Sequence, residues 1–131
     1  MGNHFHLMFY QKDCSTLSRF MGSLLNAYTR YFNLKYGRSG PLFESRYKAS
    51  TITRQDYLVH ISRYIHLNPR SWKRYPFSSI IYYRYGEEPT WLQTKKVLEL
   101  FDSRQDYISF VEDYVESKKI LDEIKQELAN L

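Results

Sequence analysis

Two imidazoles two residues apart, His4 and His6, are the first groups in this chain with chemistry to offer. The stretch Phe5 to Gln11 alternates weakly and is rich in aromatics, which predicts a strand. Side chains two apart on a strand share a face. His4, His6, Met8 and Tyr10 then line one side, with Phe5, Leu7 and Phe9 on the other. Two imidazoles on one face can both reach a single cation. A His-x-His also arises by chance, so this spacing alone leaves metal binding open. A second group follows Thr53. At about 100° per residue on a helix, Tyr57, His60, Tyr64 and Asn68 fall on one side, and Leu58, Ile61 and Ile65 form a core face. A phenol thus projects beside an amide one turn later. Asn68 can offer its carbonyl oxygen to a hard metal or cap the helix end.

The elements that must position these groups can be read in outline. Ser15 or Thr16 caps a helix running to about Tyr36, with Leu17, Phe20, Leu24, Tyr28, Tyr31 and Phe32 at helical spacing and Gly37 as the stop. Arg38-Ser39-Gly40-Pro41 is a turn. Leu42 to Ile52 reads as an extended basic segment with Arg46 and Lys48 on one face. Thr53-Arg54-Gln55-Asp56 matches a capping box, the Asp reaching back to the cap residue's amide. The helix it opens ends at Asn68-Pro69. Ser71 to Gly86 is an aromatic, basic loop or short element. Glu87-Glu88-Pro89 marks a change of character and divides residues 1–86 from an acidic helical region, 87–131. In that region Trp91 to Phe101 is expected to be a helix. Ser103-Arg104-Gln105-Asp106 is a second capping box, opening a helix that continues through Ile120, Leu121, Ile124 and Leu128.

Charge follows the same division. Residues 1–85 hold 13 Lys and Arg against 3 acids, a net +10, whereas residues 86–131 hold 6 against 11, a net −5. The first part also carries 11 of the 13 tyrosines. Basic side chains displace the counterions of phosphates, and interleaved aromatics stack on unpaired bases, so the surface leans toward single-stranded nucleic acid. An ordinary basic protein with tyrosines in its core has the same composition. Cys14 is the only cysteine, which excludes a disulfide framework and a four-cysteine zinc site. No apolar run approaches the roughly 18–20 residues that span a bilayer. The start has no signal-peptide pattern, and the expected location is the reducing cytoplasm.

The order of the motifs is more specific than any one of them. Met1-Gly2-Asn3-His4-Phe5-His6-Leu7 comes first. Ser18-Arg19-Phe20-Met21 and Tyr28-Thr29-Arg30-Tyr31-Phe32-Asn33 follow, then Gly40-Pro41-Leu42-Phe43-Glu44-Ser45-Arg46-Tyr47-Lys48. Tyr64-Ile65-His66-Leu67-Asn68-Pro69 and Tyr75-Pro76-Phe77-Ser78-Ser79 complete the series. It closely resembles the REP-associated tyrosine transposases, relatives of the small HUH transposases that act on single-stranded DNA. The resemblance covers residues 1 to about 86, and Trp91-Leu92 and the Phe110-Val111-Glu112 helix are similar to the family's tail.

This resemblance implies specific roles. His4 and His6 correspond to the family's paired histidines and would bind Mg²⁺ or Mn²⁺, with Asn68 at the position of the third ligand. Tyr64 corresponds to the nucleophile. Tyr57 is its rival on the same helical face, but the spacing to Asn-Pro selects Tyr64. His60, one turn earlier, either assists proton transfer or packs the helix. Arg38, Arg46, Lys48, Arg54 and Arg70 are the candidate phosphate contacts, each of which also reads as solvated surface charge. The family fold is α+β and ferredoxin-like, with a strand, a helix and a strand ahead of the paired histidines. Here the histidines stand at positions 4 and 6, and Gly2 replaces the usual proline. The expectation is therefore a partial ferredoxin-like domain lacking its first strand-helix-strand. It should be mostly helical, with two or three strands and a helical tail, and a homodimer would cover the exposed strand edges.

A phenol with a pKa of about 10 attacks poorly until its proton is removed or its oxyanion is stabilised. A divalent cation can polarise a phosphate oxygen and align the scissile bond. Two functions follow. One is cleavage and rejoining of single-stranded DNA through a 5′-phosphotyrosine. The other is a catalytically inactive remnant that binds single-stranded or hairpin nucleic acid.

Overall fold

A computed structural model describes residues 4–13, 15–87, 89–113 and 122–126. Its helices are α1 (Thr16–Tyr36), α2 (Gln55–Leu67), α3 (Ile80–Tyr85), α4 (Lys95–Leu98) and α5 (Arg104–Glu112), with a 3₁₀ turn at Trp72–Arg74. Residues 122–126 are also helical. The described residues contain no strand. The described residues are mostly helical, as expected, but the two or three strands expected of a partial ferredoxin-like α+β domain are not among them. A strand needs a neighbouring strand for its backbone donors and acceptors, and none of the described residues, 4–11 and 42–52 included, is in a strand. Among the described residues no helix is long and apolar enough to cross a membrane.

The chain forms two compact units, one of Met1–Met8 with Ser50–Leu131 and one of Phe9–Ala49. The Phe9–Ala49 unit is built on α1. Ser15 occupies the N-cap position but its side chain does not cap. The entry is organised by Asp13, whose carboxylate accepts from the Ser15 amide at 2.8 Å and the Ser15 hydroxyl at 2.9 Å. Those two bonds hold the Asp13 carboxyl below the usual carboxylate range. The exit is as expected. Gly37 takes a left-handed φ of 60°, a conformation costly for a residue with a Cβ, and donates its N–H to Asn33 O. The helical stripe expected in a core stays largely open: Phe20, Leu24, Tyr28 and Tyr31 are exposed, and only Met21 of this helix is buried. Local aromatic packing covers part of the stripe, with Phe32 4.4 Å from Tyr36 and Tyr28 6.3 Å from Phe43 between ring centroids. The Ser18 and Tyr47 hydroxyls pair at 2.9 Å.

The other unit holds the core. Ile80, Tyr83, Val97, Tyr107, Ile108 and Val111 bury against one another, and Met8, Leu58, Leu67 and Phe110 pack on them. This core draws on both sides of position 86. Full burial of aliphatic side chains such as Ile80, Val97 and Val111 contributes about 1.5–3 kcal/mol each.

Two caps in this unit differ. At α2 the N-cap position falls on Arg54, not Thr53, and no side chain caps it. The Arg54 guanidinium pairs with the Asp56 carboxylate, so Asp56 is engaged by a cation instead of reaching back to an amide. At α5 half of the expected box is present: Ser103 Oγ accepts from the Asp106 amide at 3.1 Å, while the Asp106 carboxylate reaches back to the Ser103 hydroxyl, at 2.6 Å, and not to the backbone amide.

Two expected helices are shorter than the apolar pattern suggests. Trp91 to Phe101 is helical only over Lys95–Leu98, and the Leu100 and Phe101 amides close tight turns onto Val97 and Leu98. Helix α5 stops at Glu112, where Asp113 leaves the helical region at φ −75° and ψ 75°. Ile124 is buried in the helical stretch 122–126. Ile120, Leu121 and Leu128 lie outside the described residues, as do Cys14, Glu88 and Met1 to Asn3.

Candidate functional site

Helix α2 carries Tyr64 on the side away from buried Ser62 and His66. Ile61, Ser62, Arg63 and His66 are buried, whereas Tyr57, His60, Tyr64 and Asn68 are half-buried. At the helix end the Asn68 amide still donates to Tyr64 O at 3.0 Å, and Pro69, lacking an N–H, ends the ladder. Asn68 is therefore the backbone C-cap, one turn beyond Tyr64.

The segment bearing His4 and His6 is not in a strand, yet it brings the His6 ring to Tyr64 and holds His4 against His6. The His4 and His6 ring centroids are 5.3 Å apart at 79°, and His6 and Tyr64 are 5.3 Å apart at 68°. Met8, on the same segment, packs on the core and ties it to the unit. His6 Nε2 is buried with no hydrogen-bond partner. Burial, and secondarily the charge of His4, lowers the His6 pKa below its ordinary value, so its imidazole is neutral at neutral pH. A neutral imidazole beside a second one, with a buried nitrogen aimed at no protein group, suits metal ligation. The described residues contain no cluster of three His, Cys, Asp or Glu side chains that could hold a metal ion. The two histidines alone fit only part of a coordination shell.

The other predicted residues are placed as follows. His60 lies 5.5 Å from the Phe110 ring, its pKa lowered first by burial and then by the charge of Arg63. It is a helix-packing residue in this arrangement. Arg54 is engaged by Asp56, and Arg70 is exposed just beyond α2. Arg38, Arg46 and Lys48 belong to the Phe9–Ala49 unit. Arg46 and Lys48 are exposed on an extended segment. Arg38 donates to Pro41 O at 3.2 Å and lines, with Arg30 and Asn33, an open depression of about 580 Å³ at the end of α1.

Two buried polar groups on α2 escaped the sequence reading. Arg63, 3% exposed, lays its guanidinium carbon 3.3 Å from the Phe110 ring centroid, a desolvated cation–π contact. His66, 2% exposed, meets the Tyr107 hydroxyl through Nδ1 at 2.7 Å and Ser79 Oγ through Nε2 at 2.9 Å. Tyr107 in turn donates to Ser62 Oγ at 3.1 Å, and Ser62 donates to Val59 O at 2.8 Å. Burial lowers the His66 pKa to about 3 and raises that of Tyr107. The only local signal was the four-residue spacing of Ser62 and His66; their partners are 13 to 45 residues away.

Residues 1–68 match the family model described as "Transposase IS200 like". No curated protein and no solved structure shows significant similarity to the chain.

Proposed function

Because the chain belongs to the IS200-like transposase family, we propose that it cleaves and rejoins single-stranded DNA with Tyr64 as nucleophile. Family membership carries a transposase function and DNA as the partner. The observation that supports the finer reading is the approach of the His6 imidazole to the Tyr64 phenol, 58 residues on in sequence, with the His4 imidazole against His6.

In this reading the Tyr64 phenolate oxygen attacks the scissile phosphorus. A new tyrosyl O–P bond forms as the bond to the 3′ oxygen breaks, and the proton lost by the phenol is balanced by the one the departing 3′ oxygen takes up to become a hydroxyl. The 5′-phosphotyrosine stores the phosphodiester, so a second 3′-hydroxyl can reverse the exchange and rejoin DNA without ATP. His4 and His6, with Asn68 as third ligand, would hold a divalent cation, Mg²⁺ or Mn²⁺. When bound, the cation supplies charge neutralisation at a phosphate oxygen. Two imidazoles and one amide would suit Mn²⁺ better than Mg²⁺, and waters and DNA oxygens would have to complete the shell. Arg38, Arg46, Lys48 and Arg70 would contact backbone phosphates, with Arg54 available once it releases Asp56. The chemistry is assigned to residues 1–86 and a supporting role to the acidic region 87–131, in the cytoplasm. A neighbouring strand, supplied for instance by a second copy in a homodimer, would convert the histidine segment into part of a ferredoxin-like α+β scaffold.

Labelled single-stranded hairpin DNA incubated with the protein and Mn²⁺ is expected to yield a covalent adduct resistant to denaturation. No adduct from the wild type, or an undiminished one from Tyr64→Phe, would overturn the assignment. A second reading, binding without chemistry, is favoured by the absence of a third His, Cys, Asp or Glu side chain beside the two histidines among the described residues. It expects DNA binding that survives His4→Ala and His6→Ala, with no adduct under any metal condition.

A further inference from the structure

We propose that the buried relay Ser79–His66–Tyr107–Ser62 fixes the rotation of α2 about its own axis and thereby aims Tyr64 at His6. Ser62, His66 and Tyr107 are then positioning residues for the nucleophile. The inference concerns geometry, and its catalytic meaning rests on the reading of Tyr64 given above.

Ser62 and His66 are one turn apart on α2 and both meet the single hydroxyl of Tyr107 on α5. Tyr64 lies two residues from each, about 200° around the helix, and so points away from the relay. Its ring meets His6 instead. Whatever sets the angle of the Ser62–His66 face therefore sets the direction of Tyr64.

Every proton in the relay has one place. Ser62 donates to Val59 O, so its oxygen accepts from Tyr107. The Tyr107 hydroxyl has only one hydrogen, so toward His66 it accepts, and Nδ1 carries the proton. Nε2 is then an acceptor and takes the Ser79 hydroxyl proton. The three central groups are sealed from water, with Ser62 at 1%, His66 at 2% and Tyr107 at 0% exposure. Apolar contacts tolerate small rotations of a helix, because one methyl can replace another. Directional hydrogen bonds in a dry site do not: turning α2 would leave buried polar atoms unpaired, with no water to replace the lost partner. Tyr107 and Ser79 both lie outside residues 1–68, the part that matches the family model. The acidic C-terminal region is thus part of the device that orients the chemistry.

The test is a metal-free measurement on the full chain. Aromatic protons of His6 and Tyr64 should show a nuclear Overhauser effect in the wild type, the Tyr64 signals being identified by their loss in Tyr64→Phe. Tyr107→Phe keeps the ring and deletes the hydroxyl; Ser62→Ala is the gentler variant should the first not fold. In whichever variant keeps the wild-type circular dichroism at the measuring temperature, the effect is expected to weaken several-fold. The His66 nitrogens should also lose their fixed Nδ1–H signature. An unchanged His6–Tyr64 effect in a folded variant overturns the proposal. The functional reading is scored separately, by the adduct. An Overhauser effect that depends on the relay, in a protein that forms no adduct, leaves the positioning intact and sinks only the chemistry. If both hold, the folded variant should form adduct at least about tenfold more slowly than the wild type, with hairpin DNA affinity unchanged.

Discussion

Tyr64 stands edge-on to His6, ring centroids 5.3 Å apart, with the His6 Nε2 buried and bonded to no protein group. A buried polar atom with no partner is costly, and its position beside a phenol and a second imidazole is the feature from which the functional account grows. A further partner at Nε2 would relieve that cost.

Metal removal should separate chemistry from binding. With EDTA, or in His6→Ala, covalent adduct is expected to vanish while hairpin DNA still binds, as measured by gel shift. Adduct formed equally well in EDTA would remove His4 and His6 from the chemistry.

Salt should weaken DNA binding steeply, because phosphate contacts release counterions. Arg46→Ala and Lys48→Ala are each expected to reduce the slope of log K against log salt by about 1. Unchanged slopes in both variants would mark these side chains as plain surface charge.

Acid should destabilise the fold through His66. Its folded pKa is about 3 against an ordinary 6.5, so the unfolded chain binds the extra proton between those values. The stabilisation is complete above pH 6.5 and is lost as pH falls toward 3, at about 1.4 kcal/mol per unit. His6 and His60 are shifted in the same direction and add to the slope. Urea unfolding of wild type and His66→Gln from pH 7 to 4 should show a shallower dependence in the variant; parallel curves would contradict the buried neutral imidazole.

Caps give a local check on the fold. Ser103→Ala is expected to cost about 1 kcal/mol by removing the bond to the Asp106 amide. Gly37→Ala should cost a similar ~1 kcal/mol, since a Cβ at a φ of 60° is strained. Neither should alter adduct yield at temperatures where the variants are folded.

The legible parts of this molecule were those governed by neighbours in sequence. The α1 exit at Gly37, the Ser103 N-cap and the span of α2 all follow from local rules, and the structure has them. The Thr53 box failed although its pattern is as good, because Arg54 captures Asp56 and a pattern of types does not rank competing partners. The strands failed for a different reason: alternation proposes a strand, but only a neighbouring strand makes one, and the described residues supply none. His66 shows the limit most clearly. It sits within the motif that drew attention to Tyr64, yet its importance depends on Tyr107, 41 residues on, which no spacing rule connects to it.

Tyr64 is expected to become covalently joined to DNA. Protein incubated with hairpin DNA and Mn²⁺, then digested with nuclease and protease, should yield the peptide containing Tyr64 carrying a phosphonucleotide on its phenolic oxygen, read by tandem mass spectrometry. The same modification on Tyr57, or no modified peptide where adduct is visible on a gel, would contradict the account.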